Sequence, residues 1–238
     1  DDSSWSGTDP DDRRFPTTSE IDAVVGNLPT YLARIDEHSA VASSALRRLV
    51  PGLADAAGHH PEEPLVAEAH HLVRGAARQL VTAAQRARAQ RRALDHAAAH
   101  GVVAVHENGG PDISGLDDFL ALADLGHPME VRRYWGQPVS SAEHARELLA
   151  ISRADALAGD LFIDGAFGSH TAWLTEPYAD DPGHCGISYL DHETIRDHIR
   201  ACTEIGIQAG FHVIGDGATA SVVAAFDELA AELGTPAL

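Results

Sequence analysis

The stretch that decides the fold is IQAGFHVIGDGA, residues 207–218, an apolar strand-like run that carries His212 and ends at Asp216. It follows a predicted helix that stops at Gly206, and the apolar residues after it recur at helical spacing. A strand between two helices predicts a βα unit of a parallel sheet. An inward His212 and a strand-end Asp216 can hold a metal or move a proton, although a core histidine and a helix cap would give the same pattern.

Strands and helices alternate along the chain, and five strands are predicted. They lie at residues 30–36, 102–107, 130–135, 160–165 and 207–214. A long helical excursion, about residues 43–100, separates the first two strands, and Thr82 with Gln85 predicts a capping box at the start of a helix within it. The alternation favours right-handed crossovers and a parallel sheet. Because a closed (β/α)8 barrel takes about 250 residues, we predict an α/β fold in which one domain, residues 1–238, holds an incomplete barrel of about five βα units.

The composition argues against several kinds of partner. The 17 basic residues, all of them arginine, face 36 acidic ones, and the formal net charge of -19 disfavours nucleic acid and anionic membranes. Two distant cysteines and the lack of a long apolar run argue against a disulfide framework and a membrane span. We expect a cytoplasmic protein with a small-molecule substrate, and homo-oligomerisation stays open.

Polar or aromatic residues stand at the carboxyl end of every predicted strand. In a parallel sheet these ends converge on one mouth, where functional groups gather. In chain order the residues are Asp36, His38, His106, Glu107, Asn108, Tyr134, Trp135, Asp160, Asp164, His212 and Asp216. An Asp-Gly pair such as Asp164-Gly165 is also a common turn. Five such strand ends together nevertheless indicate a functional site.

Side-chain alternation along the last two predicted strands separates polar from apolar residues. The set predicted to face the barrel interior is Asp160, Phe162, Asp164, His212, Ile214 and Asp216. The set predicted to pack outward under the helices is Leu161, Ile163, Phe211 and Val213. The carboxylates and the imidazole are therefore expected to share one interior.

Three separated motifs resemble one family when they are read together. They are RIDEHSAVASSAL (34–46), GDLFIDGAFGSHTAWLTEPYAD (159–180) and GFHVIGDGA (210–218). Their order and intervals resemble the YtcJ-like branch of the metal-dependent amidohydrolases. Trp5 after DDSS, and PTTSEID at 16–22, are similar to two further short motifs of that family. The resemblance covers nearly the whole chain.

The resemblance implies a (β/α)8 barrel with a small β-sandwich beside it and hydrolysis of an amide-type C–N bond, as in an N-acyl or formamide-like small molecule. It also implies one or two divalent metals, zinc first and iron or manganese as alternatives. Such a metal activates a water and polarises the carbonyl under attack. By resemblance His212 is the fifth-strand metal ligand, and Asp160 stands where many relatives carry a carboxylated lysine.

By the same resemblance Asp36, His38, Asp164, His170 and Asp216 line the substrate mouth, while His106, Glu107 and Trp135 are candidates from their positions at strand ends. Catalytic roles are expected for Asp216, His38 and Asp164. Substrate contacts are expected from Asp36, His106, Glu107, Trp135 and His170. The family's first-strand H-x-H lies upstream of this sequence, and its sixth-strand His and eighth-strand Asp lie beyond Leu238. The segment alone is therefore expected to be inactive, unless a second copy closes the barrel.

Two other functions stay open. One is a catalytically inactive barrel fragment that binds a small ligand or partner. The other is a lyase or isomerase in which Asp216 and His106 transfer protons without a metal. The aromatic residues Trp135, Phe162 and Trp173 favour an apolar or aromatic substituent on any substrate.

Overall fold

The computed structural model describes residues 14–34 and 37–234, and the chain divides into two compact units. Unit 1 consists of Asp1–Val81 and Gly165–Ala172, and unit 2 consists of Thr82–Asp164 and Trp173–Leu238. Among the helices described, none combines the length and the apolar character that crossing a bilayer requires.

Unit 1 is built on a small antiparallel sheet with helices packed against it. Its strands, in the order β1-β2-β3, are β1 (Tyr31–Ala33), β2 (Ser39–Ala42) and β3 (Leu65–Val66). Its helices are α1 (Thr18–Val25), α2 (Ser44–Arg47) and α3 (Ala67–Gln79). The core between them is made of Ala42, Leu46, Val50, Leu53, Leu65, Ala69 and Val73.

The first predicted strand does not belong to a parallel sheet, so that part of the fold prediction is wrong. β1 pairs antiparallel with β2, with Leu32 opposite Val41. The connection, residues 34–38, is far too short for the crossover of about a dozen residues that parallel neighbours need. The helical excursion predicted for about 43–100 contains α2, α3 and a third helix at Ala83–Ala99, but also β3.

Unit 2 is a parallel α/β array. Its strands are β4 (Ala104–Gly109) and β5 (Glu130–Trp135), which pair in parallel with His106 opposite Arg132. Its helices are α4 (Ala83–Ala99), α5 (Leu116–Ala123), α6 (Ala142–Ser152), α7 (His192–Glu204) and α8 (Asp216–Leu233). The capping box expected from Thr82 and Gln85 is present at the start of α4.

Two further segments continue this array, although each is joined by isolated bridges rather than by a full ladder. Segment 155–164 pairs in parallel with β5 through Tyr134 and Ala156. Segment 207–214 pairs in parallel with segment 155–164, and the His212 N–H donates to the carbonyl of Leu161 at 2.9 Å. Four parallel segments therefore stand side by side where five were predicted, and each is followed in the chain by a helix.

The two faces of this array differ sharply. Ile163, Phe211 and Val213 pack with the apolar residues of α7 and α8, which confirms their predicted orientation toward the helices. The Trp135 ring packs against Phe119 of α5 at a centroid distance of 5.0 Å. Residues that alternate with these turn the other way. We call this opposite side the helix-distal face and define it by His106, Asn108, Tyr134, Phe162 and His212.

One buried carboxylate ties the carboxyl ends of the last two segments together. Asp164 is fully buried, and its Oδ1 accepts the N–H of Ile214 at 2.9 Å. Its Oδ2 accepts the N–H of Gly215 at 2.7 Å and that of Trp173 at 2.8 Å. Several hydrogen bonds from N–H groups stabilise a carboxylate that has lost its water. We call these three bonds the Asp164 clamp.

The backbone of Trp173 completes the junction at the start of α8. Its carbonyl accepts the N–H of Gly217 at 3.1 Å and that of Ala218 at 3.4 Å. These are first-turn donors that have no partner within the helix. A Cβ on Gly215 would lie 1.8 Å from the Trp173 oxygen, so glycine is required there by close approach of the two backbones.

Each unit also buries one histidine. In unit 2, His198 accepts the Val139 N–H on Nδ1 at 3.2 Å and donates from Nε2 to the Leu157 carbonyl at 3.0 Å. In unit 1, His70 Nε2 lies 2.8 Å from the Tyr31 hydroxyl. Burial lowers the pKa of His198 to about 4 and that of His70 to about 2. Both imidazoles are therefore neutral when the protein is folded at neutral pH.

We predict that Gly215→Ala destabilises the protein by about 2–4 kcal/mol, because the new methyl group would displace the Trp173 carbonyl from α8. The matched control is Gly183→Ala, where the nearest atom to an added Cβ is 3.9 Å away. Urea unfolding of both variants measures the difference. Equal stability of the two variants would show that the junction is not as close as described.

We also predict that stability falls as the pH drops below about 6.5. The unfolded histidines then take up protons that folded His70 and His198 do not, which costs up to about 1.4 kcal/mol per pH unit for each group. For His198 this loss continues down to its folded pKa of about 4. In His198→Asn the slope of unfolding free energy between pH 7 and pH 5 should be smaller than in wild type. The exposed His96→Asn is the control, and an unchanged slope in His198→Asn would contradict the assignment.

Candidate functional site

The candidate site in unit 2 is organised around His212. Its Nδ1 lies 3.2 Å from the main-chain carbonyl of Asp164, and its ring makes an edge contact with Phe162 at 5.0 Å. A carbonyl only accepts, so Nδ1 carries the hydrogen in this bond and Nε2 holds the lone pair of the neutral ring. A histidine held in this way presents Nε2 as a ligand atom or proton acceptor.

Other polar groups lie on the same helix-distal face. His106 is exposed, and its ring lies 5.3 Å from the Tyr134 ring. The Tyr134 hydroxyl donates to Gln208 Oε1 at 3.3 Å. Asn108 borders Gly159 so closely that a Cβ on the glycine would lie 2.9 Å from the amide oxygen. The array therefore lines this face with polar side chains from three of its four segments.

Gln208 was not among the residues selected from the sequence, and Asn108 and Tyr134 were noted there only as strand-end residues without an assigned role. Their signal was present, because alternation in EVRRYW (130–135) and AVHENG (104–109) separates one side of each strand from the other. Trp135, the aromatic residue at the end of β5, was selected as a substrate contact. Its side chain points to the helix side of the array, whereas that of the preceding Tyr134 points to the helix-distal face.

Two predicted substrate-binding residues lie on the helix side of the array instead. Trp135 is only 3% exposed, packs on Phe119 and donates from its indole N–H to Gln137. Glu107 is half-buried. A Cβ added to Gly109 would meet the Phe119 ring and would lie 3.4 Å from a carboxylate oxygen of Glu107, so Glu107 is on the same side of the array as Phe119. The prediction that Trp135 contacts a substrate is therefore corrected, whereas for the half-buried Glu107 it stays a prediction.

The two aspartates predicted to be catalytic are held by contacts within the chain. Asp164 is fully buried in its clamp, so its carboxylate is not accessible to a substrate. Asp216 is exposed at the start of α8 and accepts the Thr175 N–H at 3.1 Å as well as the Thr175 hydroxyl. The hydroxyl bond lowers the pKa of Asp216, which is ionised at neutral pH. Both residues position loops around His212.

The structure does not bring Asp216 and His106 together for proton transfer. His106 is on β4, whereas Asp216 follows segment 207–214, and two segments lie between them. At the usual strand spacing the two are about 14 Å apart. Asp216 and His106 are therefore too far apart to act together as the proton-transfer pair of a metal-free lyase or isomerase.

Asp160, the other predicted metal ligand, lies two residues before Phe162 and is half-buried. Within residues 14–34 and 37–234, no group of three or more His, Cys, Asp or Glu side chains is arranged to hold a metal ion. The described residues therefore supply His212 as a suitable imidazole but not a complete metal site.

The remaining candidates belong to unit 1 and are described within it. His170 follows a 3-10 turn with φ of 52° and borders a cavity of about 510 Å³ together with Arg34 and Ser39 of the first motif. Arg34 donates to the carbonyl of Gly168 and stacks over the Phe15 ring at 5.4 Å. His38 lies in the loop before β2. Asp36, like Trp5, falls outside the described residues.

Comparison with known proteins agrees with these motifs. The sequence profile described as "Amidohydrolase family" matches residues 3–238. The protein LONG AFTER FAR-RED 3 of Arabidopsis thaliana is 27% identical over 255 residues, which cover 97% of this chain and 42% of the plant protein. The putative amidohydrolase YtcJ of Bacillus subtilis is 43% identical over 68 residues, or 29% of this chain and 13% of that protein.

Two solved structures share the fold. Both are described as uncharacterized metal-dependent hydrolases. The one from Pyrococcus horikoshii superposes with a TM-score of 0.62 at 22% identity and covers 94% of this chain and 47% of its own. The one from Pyrococcus furiosus gives a TM-score of 0.60 at 24% identity, covering 93% and 48%.

The chain spans less than half the length of these relatives and structures. The family profile matches residues 3–238. The match therefore includes all three motifs, which contain Arg34, Asp164 and His212. The chain therefore belongs to the amidohydrolase family and is a YtcJ-like member of it.

Proposed function

We propose that the protein to which this chain belongs is a metal-dependent hydrolase that cleaves an amide-type C–N bond in a small molecule through a metal-activated water. N-acyl and formamide-like compounds are the proposed substrates. Family membership supports the reaction class. The observation that carries the proposal is His212, whose Nδ1 is engaged by a main-chain carbonyl so that Nε2 is the ligand atom.

The proposal includes a (β/α)8 barrel of which the parallel array is one part. Four neighbouring parallel segments, each followed by a helix, are the repeat from which such barrels are built. In a barrel the helix-distal face would be the interior, and His212 stands near the carboxyl end of its segment, where barrel enzymes place their catalytic groups.

The described residues alone do not provide a complete set of ligands for a catalytic metal ion. A catalytic zinc site takes about three protein ligands, and the described part of the chain contains no such group. We propose that the further ligands come from sequence outside these 238 residues, with zinc the first candidate and iron or manganese next.

The residues of this chain have a positioning role in the proposal. The Asp164 carbonyl fixes the tautomer of His212, while the Asp164 carboxylate holds the backbone of Ile214 and Gly215 just beyond it. Phe162 supports the imidazole from the side. His106, Asn108 and Tyr134 offer hydrogen-bonding groups for a substrate on the same face, and the aromatic ring of Phe162 suits an apolar substituent.

A second candidate is an inactive barrel that binds a small ligand. The observation that favours it is the absence of a three-ligand group among the described residues. Metal content and activity of the complete gene product separate the two functions, because the inactive barrel would bind ligand without either.

We predict that the complete gene product contains about one divalent ion per chain and that His212→Ala removes it together with amide hydrolysis. His96→Ala is the matched control, since His96 is an exposed histidine of the same unit on α4. Metal analysis by mass spectrometry and hydrolysis of N-formyl and N-acyl amines measure both effects. Equal metal content in the His212→Ala protein and its parent would contradict the proposal.

A further inference from the structure

The cavity that His170 borders in unit 1 is lined by parts of the chain that are far apart in sequence. Its volume is about 510 Å³. Arg34 and Ser39 of the first motif line it together with Gly168 and His170 of the second motif. All of its described lining residues belong to unit 1. We call it the motif cavity.

The two arginines of the motif cavity are held by contacts within the chain. Arg34 donates to the carbonyl of Gly168, and its guanidinium lies over the Phe15 ring at 5.4 Å. A Cβ on Gly168 would lie 2.8 Å from the guanidinium carbon and from both terminal nitrogens, so glycine lets this flat group rest against the backbone. Arg14 pairs with Glu20 through two hydrogen bonds. Neither arginine therefore offers a positive charge without a partner.

The two glutamates of the lining are engaged as well. Glu62 Oε2 accepts the Ser19 N–H at 3.0 Å, and the Glu62 charge interacts with that of Arg47. Glu63 Oε2 lies 3.4 Å from His60 Nδ1. Among the described lining residues, two arginines and two glutamates give formal charges that cancel. Because a charged ligand loses hydration on entering a cavity and needs an opposite charge in return, this balance favours an uncharged ligand.

The lining of the motif cavity also has an apolar part. Phe15 is 37% exposed, and Pro64 and Val66 line the cavity with it. Two further side chains, Ser39 and His170, can form hydrogen bonds. A ligand that covered the apolar residues would gain about 25 cal/mol for each Å² of apolar surface removed from water. The motif cavity thus suits a molecule that combines an apolar ring with a polar group.

We propose that the motif cavity binds a small uncharged aromatic amide. The aromatic ring covers Pro64 and Val66 and packs on the Phe15 ring, in the offset or edge-on contact that aromatic pairs prefer. The carboxamide, which both donates and accepts, forms hydrogen bonds with Ser39 and His170. The volume is within the usual range of small-molecule sites. This site lies in unit 1 and is independent of the proposed hydrolase function.

Titration of the complete gene product with benzamide, followed by ligand-observed NMR, tests the site. Benzoate and benzylamine are the charged ligands of similar shape. We expect benzamide to bind about tenfold more tightly than either, because a charged group would lose hydration without gaining an unengaged counter-charge. The same spectra would show any hydrolysis of benzamide to benzoate, so binding at the motif cavity is measured separately from the proposed hydrolase activity.

Two matched variants locate the binding. Phe15→Leu changes the motif cavity, and Phe167→Leu is the control, because Phe167 is an exposed phenylalanine of the same unit outside the described lining. We expect Phe15→Leu to weaken benzamide about fivefold through loss of the ring contact. We expect Phe167→Leu to leave the affinity unchanged. Ser39→Ala should also weaken benzamide about fivefold, through loss of one hydrogen bond.

The proposal is overturned if benzoate or benzylamine binds as tightly as benzamide, if benzamide does not bind at millimolar concentration, or if Phe15→Leu and Phe167→Leu behave alike. Thermal unfolding checks that the variants are folded. If Phe15→Leu is not, Ser39→Ala takes its place, and the comparison of the three ligands on the wild-type protein still decides the matter.

Discussion

The structure of unit 2 depends on one buried carboxylate. Asp164 gives up its hydration, and the three N–H groups of Trp173, Ile214 and Gly215 replace the lost water. The same N–H groups would otherwise be unsatisfied at a junction that has no regular ladder, at a cost of about 1–3 kcal/mol each. The clamp therefore fixes where segment 155–164 ends, where segment 207–214 ends, and how the chain returns between them.

This dependence changes how the family motifs are understood. In DGAFGSHTAW and HVIGDGA (164–173 and 212–218), Asp164, Gly215 and Asp216 are at places where two parts of the backbone meet. Gly215 admits the Trp173 carbonyl, and Asp216 holds Thr175. His212 is the exception, because its imidazole stands on the helix-distal face with its tautomer set by a carbonyl. Much of the motif thus supports the backbone around the His212 ring.

The sequence was a good guide wherever local pattern and tertiary packing agree. The outward packing of Ile163, Phe211 and Val213 followed from alternation, and the start of α4 followed from its capping box. The prediction from sequence failed where the fold depends on which strands pair with each other. Residues 31–33 have strand character in any sheet, and only the short connection to β2 makes them antiparallel. The role of Asp164 was missed because partners nine, 50 and 51 residues away are invisible to local reading.

Amide hydrogen exchange, measured residue by residue, tests the central claim most directly. The amides of Trp173, Ile214 and Gly215 lie outside helices and strands, and each is bonded to Asp164 alone. If the clamp organises this junction, the three amides exchange as slowly as those in the middle of α7, through unfolding of the whole unit. Exchange of these amides at the rate of an exposed loop, with α7 still protected, would contradict the account.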